Sequence, residues 1–519
     1  GYKRAYFNNV RKGQPDEYRT TFAKGDSVKD VLEDWKPILD TIADKWPSLY
    51  EFENDLKAKV GPMSIMKPLS ERMEDIDHYY DDILLSSTPV SDAACKAVID
   101  EFSIIKGFRI RGQARTNDLM KKSTNSGSPY FTKRRNVIGK TLYTNVGPKG
   151  SVQMGLKPNG DPGPKYSLWN YTAILGWRGQ EGGPCAEDVK QRVVWMFPYA
   201  INIMELQCYQ PLIECCQKFN LIPAWVSMDE VDRKITRMFQ TKGKNDVVIC
   251  TDFSKFDQHF NADMQKAARI ILTNLLSNEN SSKRWLEDVF PIKYSIPLMY
   301  DYGVFRIGKH GMGSGSGGTN FDETLVHRAL QYECAQSRNQ KLNPNSMCLG
   351  DDGILSFPGI TEKDVMRTYP THGQEMNETK QHVSTQDCIY LRRWHHTDYK
   401  MGGICVGVYS TYRALGRLME QERYYDSDVW SATMVALRQL SIIENVKWHP
   451  LREEFADFCM KRDKFRLGKD IPGFLDKIDS IAKEATDLMP DFLGYTKSMN
   501  KDAETGISNW WIVNYLKSK

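Results

Sequence analysis

Eight residues, Cys348-Leu349-Gly350-Asp351-Asp352-Gly353-Ile354-Leu355, constrain this chain more than any other stretch. Apolar residues lead into and out of a turn that carries two adjacent acids, and Asp-Gly between apolar runs is a strong hairpin signal. The pattern predicts one strand from Met347 to Leu349 and a second from Ile354 to Phe357. Two like charges lifted off a buried scaffold repel, so they are stable only if solvated or held by a cation. Alone, the stretch reads equally as a plain surface hairpin and as a seat for a divalent metal ion.

At 519 residues the chain has room for several domains or subdomains, and 40% hydrophobic with 26% charged residues gives it a large core rather than disorder. The net charge of +4 is too small to argue for a polyanionic partner. Local charge says more. From Lys106 to Lys157 seven Lys and five Arg stand against one acid, Asp118, which reads as a phosphate-facing surface. Eleven Cys without a CxxC pair or a zinc spacing point to reduced thiols in a cytosol-like compartment. No apolar run approaches a membrane span, and the N-terminus carries no signal-peptide pattern. The chain opens at Gly1, which leaves room for an initiator Met, a tag or an upstream segment.

Residues 1–100 alternate amphipathic helix signals with Pro breaks at Pro37, Pro47, Pro62, Pro68 and Pro89, and carry no catalytic pattern. Inside the basic block, Ser123 to Tyr130 place small hydroxyl residues around Gly127 and Pro129. Lys121, Lys122, Lys133, Arg134 and Arg135 surround this loop. Its backbone N–H groups are expected to face a nucleic-acid backbone, a plain surface loop being the alternative. Gly155 to Pro164 reads as an irregular connection.

Lys190 and Arg192 lie two apart on a predicted strand and share a face, with Val193 and Trp195 on the other. That makes either a triphosphate clamp or a strand with exposed basic residues. Asp246 to Asp252 reads as a buried strand ending in an acid, with a second acid, Asp257, five residues on. A helix capped by Asn261 follows, with Met264, Ala268, Ile271 and Leu275 as its apolar stripe. Tyr300 to Lys309 alternates like a hairpin. Gly303 to Lys309 fits a G-x-x-x-x-G-K phosphate loop, but His310 stands where Ser or Thr should be, so that reading is rejected. Gly311 to Asn320 is a Gly-rich loop opening a helix through Leu325, Arg328, Ala329 and Tyr332, which lets backbone approach a ligand closely. Thr361 to Tyr369 reads as a helix and Ile389 to Trp394 as one strand. From about Tyr409 the chain is mainly helical, with Val429, Ala436, Leu440 and Ile443 on one stripe, and Trp510 and Trp511 packed or partner-facing.

The order of these signals is more specific than any one of them. Asp252 and Asp257 precede the Ser314-Gly315…Thr319 loop, which precedes Gly350-Asp351-Asp352. This resembles the palm of viral RNA-dependent RNA polymerases, with motifs A, B and C in unpermuted order. Lys190 and Arg192 resemble motif F, and Ser126-Gly127-Ser128-Pro129 the template-channel motif G. Lys380 falls where motif D carries its lysine, and Leu391-Arg392-Arg393-Trp394 resembles motif E. The runs Asp252 to Gln258 and Lys190 to Trp195 are most similar to enzymes of small double-stranded RNA viruses of the picobirnavirus and partitivirus kind.

The resemblance implies an α+β closed right hand: fingers, a palm with an antiparallel sheet, and a helical thumb. Residues 1–100 would bridge fingers and thumb. Residues 101–245 would form the fingers, 246–408 the palm with 276–310 returning to the fingers, and 409–519 the thumb and tail. It implies template-directed RNA synthesis by nucleotidyl transfer with two Mg2+ (or Mn2+) ions, about 3.5–4 Å apart, held by Asp252, Asp351 and Asp352. Lys190, Arg192, Asp257, Ser314, Thr319 and Asn320 would bind the nucleotide, and Ser126, Gly127, Pro129 and Gly315 the template. Leu391, Arg392 and Arg393 would grip the primer, and Lys380 would give a proton to pyrophosphate. The implied partners are RNA template and product, ribonucleoside triphosphates and a capsid protein, with the virion interior and host cytoplasm as locations. One departure stands out: where the family often has Asn four residues after the motif B Thr, this chain has Glu323, and Asn320 is the candidate substitute. A reverse transcriptase and an inactive RNA-binding particle protein are the rivals. Leu349-Gly350 before the two acids speaks against the first, and the intact acids against the second.

Overall fold

The computed structural model describes residues 1–147, 150–156, 167–377, 381–488, 501–502 and 504–519. The Gly-Asp-Asp stretch folds as a hairpin of Met347–Leu349 and Asp352–Leu355, with Asp352 opposite Leu349 and Gly353 opposite Cys348. The second strand thus starts two residues earlier than its apolar run suggests. Gly350 turns the chain at φ 58°, a conformation that costs a residue without a Cβ least. On its other edge the hairpin pairs with Val248–Thr251, and that strand pairs with His382–Ser384, giving a four-stranded antiparallel sheet.

Helix Thr319–Gln336 packs beneath this sheet, against helices Asp92–Glu101 and Ala262–Leu275. It is buried without interruption from Phe321 to Gln331, as expected for a helix enclosed on all sides. Its polar side chains hold the hairpin from below. Gln331 donates to the carbonyls of Met347 (2.9 Å) and Ile354 (3.2 Å). Thr324 Oγ1 accepts from the Gly350 N–H at 2.9 Å, and His327 Nδ1 donates to the Gly350 carbonyl at 2.8 Å.

A second sheet runs Lys190–Met196, Ala173–Gln180, Leu298–Asp301, Val304–Arg306, the central pair being parallel. The predicted Tyr300 hairpin is its edge, with Gly303 at the turn. Residues 387–396 form a hairpin, Asp387–Tyr390 with Arg393–His396, rather than the single strand expected. Leu391 and Arg392 turn the chain at φ 53° and 59°.

The first hundred residues divide between two cores. Phe7, Val10, Leu69 and Ile76 join the core around both sheets. Phe22, Trp35, Leu49 and Phe52 join a second core with Tyr412, Leu437, Phe455 and Ile512. Pro47 opens helix Pro47–Lys57, where its missing N–H is no loss, whereas Pro37 lies inside helix Val28–Leu39. The C-terminal region is helical, and Ala436, Leu440 and Ile443 are buried on helix Ala432–Glu444, with Val429 before its start. Trp510 and Trp511 pack on the second core. Among the described residues no helix is long and apolar enough to cross a membrane.

Candidate active site

The two central strands bring the acids together. Gly353 lies opposite Thr251, so one step along the antiparallel ladder Asp352 and Asp252 stand side by side, with Asp351 at the turn. Each acid is held differently. Asp252 Oδ2 accepts from Asn377 at 3.0 Å, while Gln381 brackets the Asp252 backbone, accepting its N–H at 2.9 Å and donating to its carbonyl at 2.8 Å. Asp352 Oδ2 accepts the Leu391 N–H at 2.7 Å, so the turn of the neighbouring hairpin orients it. Asp351 is the exposed member of the set.

Charge is concentrated here. Burial, then repulsion from Asp351, push the Asp352 pKa up to about 7, against the pull of the Leu391 N–H and Arg392. Desolvation and Asp257 raise that of Asp351, while Arg192 and Arg392 lower it. Glu323, 4% exposed, is raised well above the carboxyl range by burial and by Asp257, which shares a hydrogen bond with it. One Glu323 oxygen, Oε2, has no partner. Asp257, Glu323, Asp351 and Asp352 thus repel one another in one region, and the ladder sets Asp252 next to Asp352. Hard carboxylate oxygens of this kind suit Mg2+ or Mn2+. Among the described residues no three such side chains already close around one point, so the donors fit a divalent ion without forming a finished cage.

The Gly-rich loop forms the adjoining wall. Its Met312 N–H donates to the Asp257 carbonyl at 2.9 Å, tying it to the turn that follows Asp252. Ser314 Oγ accepts from the Trp195 N–H (3.3 Å) and donates to the Val193 carbonyl (3.2 Å), and Thr319 Oγ1 donates to the Gly313 carbonyl (3.1 Å). Gly315 passes so close to the Trp195 carbonyl that any Cβ there would collide. Asn320 is exposed beside Gly350, whereas Glu323 lies buried one turn below.

Comparison with known proteins gives this geometry its context. The family model described as viral RNA-dependent RNA polymerase matches residues 184–422. A potential RNA-dependent RNA polymerase of human picobirnavirus (strain Human/Thailand/Hy005102/-) is 59% identical over 99% of this chain and 96% of its own length. The chain belongs to the viral RNA-dependent RNA polymerase family. The crystal structure of the RNA-dependent RNA polymerase of a human picobirnavirus matches this polymerase with a TM-score of 0.92 at 58% identity, covering 99% of this chain and 96% of that one. The Sicinivirus RNA-dependent RNA polymerase shares the fold at 14% identity, with a TM-score of 0.53 over 73% of this chain and 82% of that one.

The other residues singled out from the sequence fall into place around the acids or away from them. Lys190 and Arg192 of the polymerase are exposed on one face of their strand, with Val193 and Trp195 buried behind. Arg192 Nε donates to Gln180 at 3.1 Å. Arg392 is exposed at its turn and Leu391 half-buried beside it. Arg393 corrects the expectation of a primer contact. It is 8% exposed and donates from both terminal guanidinium nitrogens to Asp232, at 2.8 and 3.1 Å, because the turn before it swings it inward.

The Ser126 loop is a second correction. Ser126 and Gly127 are buried, and their N–H groups go to the Thr132 carbonyl (2.6 Å) and Asn125 Oδ1 (2.7 Å) rather than outward. A Cβ on Gly127 would lie 2.7 Å from the Phe197 carbonyl, so the loop is packed on that segment, with Pro129 half-buried and Lys133 and Arg135 exposed on its rim. Lys380 lies outside the described residues, as does most of Gly155 to Pro164. Sequence reading missed Asn377 and Gln381, the polar pair that flanks Lys380 and orients Asp252. It also missed Glu205, whose signal was an acid in a largely apolar stretch of helix Tyr199–Lys218.

Proposed function

We propose that this polymerase copies RNA by joining ribonucleoside triphosphates at the carboxylate cluster, for replication and transcription of a viral genome that is double-stranded RNA. The cluster carries the proposal: Asp257, Glu323, Asp351 and Asp352 repel one another, with Asp252 next to Asp352 across the strand ladder and a cationic strand face alongside. Asp252 and Asp351, with Asp352 assisting, would hold Mg2+ or Mn2+. When bound, the ions supply neutralisation of the charge that builds on the entering and leaving oxygens. The chain's own residues do the positioning. Lys190 and Arg192 receive the triphosphate by charge-assisted hydrogen bonds. Asp257 and Asn320 face the ribose, where an acid accepts from the 2′-hydroxyl that marks RNA. The Leu391–Arg392 turn borders the growing strand and, through its N–H, keeps Asp352 in place.

Residues 101–245 serve as fingers, 246–408 as palm, 409–519 as thumb and 1–100 as the bridge. The pairing of Leu298–Asp301 with Ala173–Gln180 supports the return of 276–310 to the fingers. A capsid partner, the virion and host cytoplasm as locations, and the double-stranded genome rest on likeness to picobirnavirus polymerases. Purified protein with unprimed single-stranded RNA, four ribonucleotides and Mg2+ tests the function. Template-complementary RNA is expected. A preference for deoxyribonucleotides, or no incorporation on primed or unprimed RNA, would overturn it.

A further inference from the structure

Helix Tyr199–Lys218 is buried continuously from Tyr199 to Glu205, and in that run stand two polar side chains, Asn202 (6% exposed) and Glu205 (1% exposed). Buried polar groups persist where hydrogen bonds offset desolvation. Most of the partners here lie in the Gly-rich loop. Glu205 Oε1 accepts from the Gly317 N–H at 3.1 Å, and Oε2 is bonded by the Ser316 hydroxyl, whose oxygen accepts the Gly318 N–H at 3.0 Å. Asn202 Nδ2 donates to Glu205 at 3.1 Å and to the Gly315 carbonyl at 3.2 Å. The other end of Asn202 accepts from Arg134 at 2.9 Å, inside the basic block. The loop has few side chains to brace itself. A Cβ on Gly317 would press on Leu206 at 3.0 Å, and one on Gly318 would run into the Tyr209 ring.

We propose that Glu205 and Asn202 are positioning residues for RNA synthesis: they fix the Gly-rich loop in the shape that meets nucleotide and template, and through Arg134 they tie that shape to the basic segment. This rests on reading the loop as a wall of the nucleotide site. Burial pushes the Glu205 pKa up, against the pull of Lys293 and of the donors that meet its oxygens. Glu205→Gln keeps an oxygen for the Gly317 N–H and a polar nitrogen for Ser316. Glu205→Ala removes both.

The test is steady-state nucleotide incorporation by the full chain. Glu205→Ala is expected to raise the KM for the incoming nucleotide about tenfold with kcat changed less than about twofold, and Glu205→Gln to restore KM to within about threefold of wild type. Ser316→Ala cuts the same contact from the loop side and is expected to raise KM in the same sense, which keeps the test decisive if Glu205→Ala does not fold. Arg134→Ala combined with Asn202→Ala is expected to weaken template binding by less than the sum of the two single losses, since both cut one path. Wild-type KM in Glu205→Ala and Ser316→Ala, equal losses in Glu205→Ala and Glu205→Gln, or strictly additive effects of Arg134 and Asn202 would overturn the proposal. A wild-type protein that incorporates nothing would instead overturn the reading of the site.

Discussion

Asp322 and Glu323 are neighbours in sequence, both buried in helix Thr319–Gln336, and their surroundings are opposite. Asp322 meets Lys293 at 3.0 Å and accepts from the hydroxyls of Tyr209 (2.7 Å) and Tyr294 (2.6 Å). Lys293, itself fully enclosed, also donates to the Phe290 carbonyl at 2.7 Å. Glu323 faces Asp257 and Asp351 and keeps an oxygen without a partner. One acid is matched by its own protein and the next is not. A chain able to assemble Lys293 and two tyrosines around a buried carboxylate has no difficulty neutralising charge, and the repelling set one residue away is the place proposed above for bound cations.

The contrast can be broken most forcefully on its unmatched side. Asp351→Asn or Asp252→Ala should reduce incorporation at least about a thousandfold, the several kcal/mol that charge neutralisation contributes, while RNA retention on a filter stays near wild type. Near wild-type turnover in either variant would remove both acids from the chemistry. The next effect belongs to stability. Lys293→Met leaves a buried charge unpaired and should lower the unfolding free energy by about 3–5 kcal/mol, whereas Glu323→Gln removes a repelled acid and should stay within about 1 kcal/mol of wild type. Denaturant titrations showing equal losses would erase the distinction.

A smaller change is expected at the cationic face. Arg192→Ala with Lys190→Ala should raise the nucleoside triphosphate KM about a hundredfold, as charge-assisted bonds are worth roughly 1.5–3 kcal/mol each; an unmoved KM would place the triphosphate elsewhere. The smallest effect is in pH. The Asp352 pKa of about 7 lies above its ordinary value of 3.8, so without metal the folded protein keeps a proton there that the unfolded chain releases. That contribution to stability is present at low pH and fades as pH rises through about 7. In a chelator, the Tm of Asp352→Asn relative to wild type should therefore climb from pH 5 to pH 8, and Mg2+ should narrow the gap more at pH 8. A gap that shrinks with pH would contradict the repulsion.

The acids were legible because each local signal is short-range: an apolar strand ending at Asp252, a Gly turn at 350, a glycine loop opening a helix. What the sequence hid was decided at a distance. Leu391 and Arg392 adopt positive φ without Gly or Asn to announce it, so the sequence shows a single strand where the chain turns and carries Arg393 inward. The Ser126 loop has the composition of a surface, and only its packing on Phe197 and Tyr199 buries it. Lys293 sits among aromatics with nothing nearby to identify Asp322, 29 positions on, as its partner. Pro37 looks like a helix break. Inside helix Val28–Leu39 it removes only the bond to the carbonyl of solvent-exposed Glu33.

The division of the first hundred residues between two cores has a mechanical consequence. Phe22 to Phe52 belong to one core, and Phe7, Val10 and Leu69 onward to the other, so the chain leaves the first, crosses to the second and comes back within about seventy positions. The shared strap couples the two cores, so the two halves are expected to unfold together on heating, as one calorimetric transition rather than in stages.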